Sequence, residues 1–286
     1  MPVKRGRTPV DPEAAGRVMN PKQLRYRVAC GTGKLREQKC TWPFEEMVLM
    51  AIVDKSGSRV KRMFGQIAPK YDRMNHLLSM NADRYWRWRT VRRVPPCGTD
   101  PILDVCTGTG DLALAYCRRT RGEVEVVGAD FCPQMLEIGE QKKLRSRHAG
   151  RLRLVEADTQ ELPFESDYFQ IVSVAFGLRN VQDTDRGLAE MVRVCRPGGR
   201  VAVLEFSEPR WQPFKACYGW YFRNVLPRLG QWIARNDEGA YNYLPESVGQ
   251  FPSGTALLDR MSQVGLQEVR LHRLTFGVAT LYVGVK

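Results

Sequence analysis

The chain has 286 residues, which suits one large α/β domain with appendages and argues against a second independent domain. Its 44 Lys and Arg against 31 Asp and Glu leave a formal net charge of +13. Its eight cysteines include no Cys-x-x-Cys pair. This cysteine pattern excludes a zinc-finger spacing and a disulfide framework, and it fits a reducing cytoplasm. No apolar run approaches the roughly 20 residues of a membrane-spanning helix, and the basic start lacks the apolar core of a signal peptide.

Residues 1–54 are rich in Lys, Arg and Pro and show little periodicity. Two interpretations stay open for them. They are a disordered basic extension, or the translation start is misassigned and Met47 or Met50 is the true initiator.

A glycine loop follows the first strand of the predicted core. Ile102–Val105 reads as a buried strand, and it runs into a loop with Gly108 and Gly110 before a helix-like segment. Glycine lets the backbone approach a ligand closely, and free amides at a helix start receive carboxylate or phosphate. Asp104 and Asp111 flank the loop and can accept hydrogen bonds from an amine or from hydroxyls. The loop also fits the looser dinucleotide fingerprint, so alone it leaves a nicotinamide and S-adenosylmethionine both open.

Acidic residues end the next two predicted strands. Val124–Asp130 ends in an acid roughly 20 residues after the glycines, where a carboxylate meets ribose hydroxyls in doubly wound folds. Leu152–Asp158 ends in a second acid, so Asp158 and Thr159 are expected in the same crevice near an adenine edge, although each acid also suits a helix N-cap. This series of acid-tipped strands favours S-adenosylmethionine over a nicotinamide. Further strands are predicted at Phe169–Val174, Val201–Phe206, Glu268–Leu274 and Val278–Val285.

An aromatic and basic segment follows the strand that ends at Phe206. Residues 211–235 mix bulky apolar side chains with Lys215, Arg223, Arg228 and Arg235, which suits a lid, at about 209–251, that lies at a membrane interface or covers a greasy substrate. A cover helix packed on the core is the alternative interpretation. Binding of single-stranded nucleic acid is not expected, because the chain shows no separate recognition module.

Several longer stretches carry a family resemblance. They are Phe64–Asn75, the glycine loop, Phe176–Val181, Arg193–Gly199 and Glu205–Ser207. Through them the chain, over about residues 55–286, resembles the ubiquinone/menaquinone biosynthesis C-methyltransferases, which methylate a ring carbon of a polyprenylated quinol.

The resemblance implies a Rossmann-like fold with a mainly parallel seven-stranded sheet and a C-terminal antiparallel hairpin. It also implies cofactor contacts at Thr109, Asp130, Asp158 and Thr159, to which the residues of the loop add Asp104, Gly108 and Gly110. The chain departs from the family pattern at two positions. Asp83 stands where the family usually has histidine, and Ala175 stands where it often has serine.

Methylation of a ring carbon requires a quinol hydroxyl to lose its proton as the carbon attacks, and it requires no metal. Tyr71 and Asp72 are candidates for the catalytic groups, with Asp72 as a base directly or through water. Arg179 is a candidate to hold the developing phenolate by charge, and Asn180 to orient a hydroxyl. Helix capping and packing for the first pair, and a salt bridge for Arg179, are the structural alternatives. His76 is interpreted as a surface or packing residue.

The sequence therefore predicts a methyltransferase that converts demethylmenaquinol to menaquinol with S-adenosylmethionine as methyl donor. Methylation of a polyprenyl benzoquinol in ubiquinone biosynthesis is the alternative substrate. A noncatalytic protein of the same fold that binds anionic lipid or nucleic acid is the alternative from another class. A nicotinamide oxidoreductase is a further alternative, but the chain lacks the second cofactor-binding half of such an enzyme. A cytoplasmic location with transient contact at the inner face of the membrane is expected, because a polyprenyl tail is insoluble in water.

Overall fold

The computed structural model describes residues 25–29, 35–39, 55–225 and 240–286, and the chain divides into two units, Met1–Ile52 and Val53–Lys286. In the first unit, strands β1 (Arg25–Ala29) and β2 (Leu35–Lys39) pair antiparallel. These strands were not predicted from the sequence. The other residues of 1–54 lie outside the described residues, so both interpretations of this extension remain predictions.

The second unit alternates helices and strands, as the sequence predicted. In chain order its elements are α1 (Gly57–Leu78), α2 (Ala82–Arg93), β3 (Ile102–Val105), α3 (Asp111–Arg119), β4 (Val126–Asp130), α4 (Pro133–Leu144), β5 (Leu152–Glu156), β6 (Phe169–Ala175), α5 (Thr184–Val194), β7 (Cys195–Phe206), α6 (Phe214–Trp220), α7 (Ala240–Gln250), α8 (Thr255–Gln263), β8 (Gln267–Leu274) and β9 (Ala279–Val285). Among the described residues, no helix is long and apolar enough to span a bilayer.

Seven strands form one sheet in the order β5-β4-β3-β6-β7-β9-β8. The pairs from β5 to β7 are parallel, and β9 runs antiparallel to both of its neighbours. Every residue of β3 and β4 is buried, as expected for inner strands covered by helices on both faces. The predicted mainly parallel sheet with a C-terminal antiparallel hairpin is confirmed.

The core consists mainly of two buried clusters, one on each face of the sheet. Successive side chains of a strand point to opposite faces, so Leu103 belongs to one cluster and its neighbour Ile102 to the other. Full burial of such a side chain contributes about 1.5–3 kcal/mol. Outside the sheet, α1 packs on α4 and α2 packs on α3, which sets both N-terminal helices beside the glycine loop.

The segment predicted as a lid begins with helix α6, which continues as a π-helical turn over Tyr221–Val225. Residues 226–239, which include Arg228 and Arg235, lie outside the described residues. The lid segment resumes at α7.

Two loops meet at the carboxyl ends of β3 and β6, where the strand order switches direction. Cys106 follows β3 with φ 48°, and Gly177 follows β6. A Cβ added to Gly177 would lie 2.3 Å from the Cβ of Cys106, far inside van der Waals contact. Only glycine therefore lets the two loops approach this closely.

We expect Gly177→Ala to lower the free energy of unfolding by about 1–3 kcal/mol, because one of the two loops must move. Urea unfolding followed by circular dichroism measures this difference. Gly150→Ala is the matched control, since an added Cβ there meets nothing within 4 Å. Equal stability of the two variants would show that the loops adjust without cost.

Candidate functional site

A polar cavity lies at the carboxyl edge of the sheet. The loops after β3, β4, β5 and β6 supply most of its lining, as expected for a ligand site at a topological switch point. The lining includes Asp104, Gly108, Thr109, Asp130, Asp158, Thr159, Gly177 and Asn180. The structure thus brings together nearly all residues predicted to contact the cofactor. The exception is Gly110, the N-cap of α3, which lies between the lining residues Thr109 and Asp111 but does not itself line the cavity.

The glycine loop is fastened to the end of β4. The amide of Gly108 donates to Asp130 Oδ2 at 2.7 Å, and the amide of Cys132 donates to Asp130 Oδ1 at 2.9 Å. Gly108 has φ 57°, a conformation that costs a residue with a Cβ more than it costs glycine. Asp130 is therefore fixed at the strand end, with lone pairs left for a ligand.

Two buried carboxylates face this cavity, and neither forms an ion pair within 4.0 Å with any residue that the structure describes. Only the more distant charge of Arg87 acts on Asp104. Asp104 accepts hydrogen bonds from Thr107 Oγ1 at 2.7 Å and Ser173 Oγ at 2.9 Å. Burial raises the pKa of Asp104 to about 6 and the pKa of Asp130 to about 6, and in each case the hydrogen bonds oppose the shift only in part. A cationic ligand would stabilise both carboxylates in their charged form.

Asp158 and Thr159 differ in exposure. Asp158 is exposed, and its Oδ1 accepts from the amide of Gln160 at 2.9 Å, so it also closes a turn. Thr159 is buried, with its Oγ1 3.2 Å from Cys106 Sγ. Burial raises the pKa of the Cys106 thiol, which therefore stays protonated and serves as a small packing residue.

Asp72 lies away from the polar cavity. Its Oδ1 accepts from Thr109 Oγ1 at 2.6 Å, and its Oδ2 accepts from Lys142 Nζ at 2.8 Å. Lys142 also pairs with Asp111. Asp72 lines an outer groove beside α1, α2 and α3, and it lines neither the polar cavity nor the apolar cavity described next.

A second cavity of about 410 Å³ adjoins the first and is mainly apolar. Side chains from α1, α2, the lid segment and the turn before β9 form its wall, and they include Met63, Ile67, Met80, Trp86, Phe206, Phe214, Tyr218, Phe222, Tyr243 and Leu244. Met80 is 81% exposed, so the cavity reaches the surface beside it. The predicted role of the lid segment as a cover over the strand ends fits this placement.

Four residues line both cavities and so mark their junction: Phe64, Tyr71, Arg87 and Phe176. Burial raises the pKa of the Tyr71 phenol, although the guanidinium groups of Arg179 and Arg87 oppose the shift. The phenol stays protonated at neutral pH and can donate a hydrogen bond at the junction.

Arg179 lines the apolar cavity and is buried. Its Nη1 donates to Glu205 Oε2 at 3.0 Å and to the carbonyl of Phe176, so the salt bridge given from sequence as the structural alternative is present. Its Nε is buried and has no hydrogen-bond partner within the part of the chain that the structure describes. The salt bridge thus fixes the guanidinium while leaving it a free donor, so the salt bridge and a ligand-facing role are compatible.

Asp83 places a buried carboxylate in the apolar cavity. It accepts from Ser79 Oγ at 2.7 Å and from Arg87 Nη1 at 2.6 Å, and it contacts His76 Nδ1 at 2.8 Å. Burial alone raises the pKa of Asp83, but Arg87, Ser79 and His76 outweigh that effect and hold the pKa below its usual value. His76, interpreted from the sequence as a surface or packing residue, is half-buried and bonded to this carboxylate.

Sequence reasoning missed Arg87 and Lys142. Arg87 follows Asp83 by four residues on α2, a spacing at which opposite charges pair, so the sequence held a signal for it. Lys142 reaches Asp72 across 70 residues of sequence, and no local pattern indicates such a contact.

The polar cavity fits S-adenosylmethionine. The ligand carries an ammonium, a sulfonium and ribose hydroxyls, and the cavity offers the carboxylates of Asp104 and Asp130 as acceptors. The Oδ1 of Asn180, which also lines the cavity, is buried, has no hydrogen-bond partner among the described residues and could accept from a ligand. The fold and this site together define a Rossmann-like S-adenosylmethionine-dependent methyltransferase.

Solved structures support this fold. A Thermotoga maritima protein described as a "SAM-dependent methyltransferase, possible histamine N-methyltransferase" matches with a TM-score of 0.56 and 18% identity, over 79% of this chain and 99% of that one. At this identity the likeness shows the fold alone.

The family model described as "ubiE/COQ5 methyltransferase family" matches residues 52–286. The chain is 45% identical over 237 residues, 83% of its length and 100% of the relative's, to a Geobacter sp. (strain M21) protein named "Ubiquinone/menaquinone biosynthesis C-methyltransferase UbiE". It is 36% identical over 245 residues, 86% and 99% of the two lengths, to the "Demethylmenaquinone methyltransferase" of Bacteroides fragilis. The chain belongs to the ubiE/COQ5 methyltransferase family, and the predicted resemblance is confirmed.

We expect Asp104→Asn to stabilise the ligand-free protein above pH 6 and to have little effect below pH 3.8. The folded-state pKa of about 6 exceeds the ordinary value of 3.8, so between these values the folded state holds the proton more tightly than the unfolded state. The stabilisation from that proton is complete below pH 3.8 and is lost as pH rises through 6. The amide carries no charge and escapes this loss.

Urea unfolding at about pH 5 and about pH 8 measures the effect, with the variant expected to lose less stability across this interval than the wild type. Glu165→Gln is the control, because Glu165 is exposed. Equal losses of stability in the wild type and in Asp104→Asn would contradict the raised pKa of the buried Asp104.

Proposed function

We propose that the protein transfers a methyl group from S-adenosylmethionine to a ring carbon of a polyprenylated quinol, converting demethylmenaquinol to menaquinol. The observation that carries this proposal is the contact between the two cavities. A polar cavity suited to the methyl donor opens through Phe64, Tyr71, Arg87 and Phe176 into a mainly apolar cavity. A quinol whose aromatic ring lies at this junction would have its prenyl tail along the wall of the apolar cavity.

The wall of the apolar cavity suits a lipid-tailed ring. Trp86, Phe176 and Phe206 form an aromatic cluster, with ring centroids 4.5 to 6.0 Å apart, on one side of it. Such rings pack against a naphthoquinol by stacking and edge contacts. The opening beside Met80 leaves the tail a way to the surface.

Arg179 and Tyr71 supply charge and hydrogen bonds for the reacting ring. When bound, the cofactor supplies an electrophilic methyl group. The guanidinium of Arg179 favours the deprotonated form of a quinol hydroxyl, and the protonated Tyr71 donates to it. Electron density released by the hydroxyl then reaches the ring carbon that attacks.

Asp83 is the group we assign as acceptor of the hydroxyl proton. It is an ionised carboxylate in the wall of the apolar cavity, and its hydrogen bond to His76 leads to the outer groove, which His76 also lines. Its low pKa makes it a weak base, but the hydroxyl beside Arg179 and Arg87 is itself more acidic than in water. Asp72, the base proposed from sequence, holds Thr109 and Lys142 instead and serves the cofactor loop.

The relatives support the naphthoquinol substrate without distinguishing it fully from a benzoquinol. The Bacteroides fragilis relative is named for demethylmenaquinone, whereas the Geobacter relative is named for both quinone types. The polyprenyl tail requires transient contact with the membrane surface from the cytoplasmic side. We propose no metal, because proton removal and charge stabilisation are available from side chains.

The test is transfer of labelled methyl from S-adenosylmethionine to short-chain demethylmenaquinol kept reduced in detergent, beside the matching benzoquinol and an RNA. We expect label in the naphthoquinol ring. Asp130→Ala should lower cofactor affinity by about 10- to 100-fold, because it removes hydrogen bonds made by a charged acceptor. Glu165→Ala is the control and should bind and react as the wild type does.

Label in the benzoquinol alone would move the proposal to ubiquinone biosynthesis. Cofactor binding without label in any acceptor would overturn the proposed reaction in favour of a noncatalytic binding protein. Label in the RNA would overturn the substrate class.

We expect Asp83→Asn to lower kcat by about 100-fold with cofactor affinity unchanged, because a general base is lost. Asp72→Asn is the matched variant, since Asp72 on α1 and Asp83 on α2 both belong to ion pairs. It should weaken cofactor binding and leave kcat at saturation within about threefold of the wild type. Steady-state kinetics with calorimetric binding of the cofactor separate the two effects, and a larger loss of kcat in Asp72→Asn would restore Asp72 as the base.

A further inference from the structure

The exposed face of helix α2 is cationic and aromatic. Arg84, Tyr85, Trp88, Arg92 and Arg93 are its exposed side chains, and the one acid of the helix, Asp83, is buried. Tyr85 is 46% exposed and Trp88 is 48% exposed, although aromatic rings of this size are usually covered. The function proposed above leaves this face without a role.

Arginine side chains hold the Trp88 ring at the surface. The guanidinium carbon of Arg92 lies 4.9 Å from a Trp88 ring centroid, and that of Arg89 lies 6.0 Å from it. A tryptophan flanked by guanidinium groups is amphipathic, with an apolar ring and charged neighbours. Such a ring is suited to the boundary between lipid headgroups and acyl chains.

The last turn of α1 and the loop that leads to α2 add two exposed aliphatic side chains. Leu77 is 56% exposed, and Met80, which is 81% exposed, also lines the apolar cavity. Phe276 is 71% exposed and follows Thr275, which lines the cavity wall. Trp86 Nε1 donates to Thr275 Oγ1 at 2.7 Å, so the chain next to Phe276 is tied to α2.

The groove beside α2 has an excess of positive charge. Seven Lys or Arg side chains line it with only two carboxylates, Asp72 and Asp111, and both carboxylates pair with Lys142. Five of its arginines have no carboxylate within 4.0 Å among the residues that the structure describes: Arg73, Arg84, Arg92, Arg118 and Arg119. This surface attracts anions.

We propose that the exposed face of α2, together with the turn at residues 77–80, docks on an anionic phospholipid bilayer. Phospholipid headgroups supply the anions for the arginines, and the acyl boundary receives Met80, Leu77 and Trp88. The apolar cavity then opens into the bilayer beside Met80, so a prenyl chain enters without crossing water. This last step rests on the proposed quinol substrate, whereas docking itself does not.

Two features favour a bilayer over nucleic acid. Leu77 and Met80 are aliphatic and offer no stacking face for a base, and Met80 lines the apolar cavity. The sequence placed membrane contact on residues 211–235. The structure adds α2, on which arginines and exposed rings occur together, as a docking element.

Docking is tested by sedimentation of the full-length protein with vesicles of phosphatidylglycerol and phosphatidylcholine, beside vesicles of phosphatidylcholine alone. We expect binding to the anionic vesicles only. Arg84→Ser/Arg92→Ser should weaken it by about thirtyfold, because each arginine near an anionic surface contributes about 1 kcal/mol, or about fivefold in affinity, and two such contributions multiply. Arg145→Ser/Arg147→Ser makes the same charge change at two exposed arginines after α4 and should bind as the wild type does.

A second variant separates insertion from charge. Tyr85→Ser/Trp88→Ser keeps all arginines, and we expect it to bind anionic vesicles about tenfold less tightly than the wild type. Thermal unfolding of each variant checks the fold. Methyl transfer to a detergent-dispersed short-chain quinol should be unchanged, whereas transfer to a long-chain quinol embedded in vesicles should fall.

Equal vesicle binding by Arg84→Ser/Arg92→Ser and the control pair would overturn the proposal and move docking to another part of the chain, such as residues 1–54. Tight binding of single-stranded RNA, lost in Arg84→Ser/Arg92→Ser without any binding of anionic vesicles, would overturn it in favour of nucleic acid. Vesicle binding requires no turnover, so failure of docking and failure of the proposed reaction are distinguished.

Discussion

A network of hydrogen-bonded and ion-paired side chains beside the glycine loop fixes the position of the two cavities relative to each other. It runs from Thr109 through Asp72, Lys142 and Asp111, and Arg87 continues it to Asp83 and His76. Helices α1, α2, α3 and α4 and the cofactor loop each contribute a member. Removing one member leaves a partly buried partner without compensation, which is far costlier than loss of a surface ion pair. The network therefore fixes how the N-terminal helices sit over the strand ends.

Arg87 links the two halves of this network, because it contacts both Asp83 and Asp111. It lines the polar cavity, the apolar cavity and the outer groove, and its guanidinium carbon lies 5.7 Å from the ring centroid of Phe176. Its charge is divided between Asp83 at 2.6 Å and Asp111 at 3.9 Å. A neutral side chain here would remove the link between the carboxylate of the apolar cavity and α3, the helix that follows the cofactor loop.

The cofactor side of the site could be predicted from sequence because it depends on strand ends. Parallel strands bring their carboxyl ends to one edge, so Asp104, Asp130 and Thr159 converge whatever packs around them. The reaction side depends on helix phase and on distant contacts. Tyr71 and Asp72 are neighbours in sequence, but successive residues of a helix point about 100° apart, so Tyr71 reaches the junction while Asp72 reaches Lys142. Asp83 was noted from sequence only as a departure from the family pattern, because its buried position follows from packing of α2.

Exposure is a further property that the sequence did not specify. Trp86 and Trp88 stand two positions apart on α2, yet the first is 2% exposed and the second 48% exposed.

The net charge of +13 does not show how unevenly the charged side chains are distributed over the protein. Inside, Asp104 and Asp130 face the polar cavity without an ion pair, and outside, five arginines line the groove beside α2 without a carboxylate within 4.0 Å, in both cases among the described residues. A cationic methyl donor is attracted to the interior and an anionic lipid surface to the exterior. The polar cavity is therefore suited to a cationic ligand and the groove beside α2 to an anionic one, and Arg87 lines both.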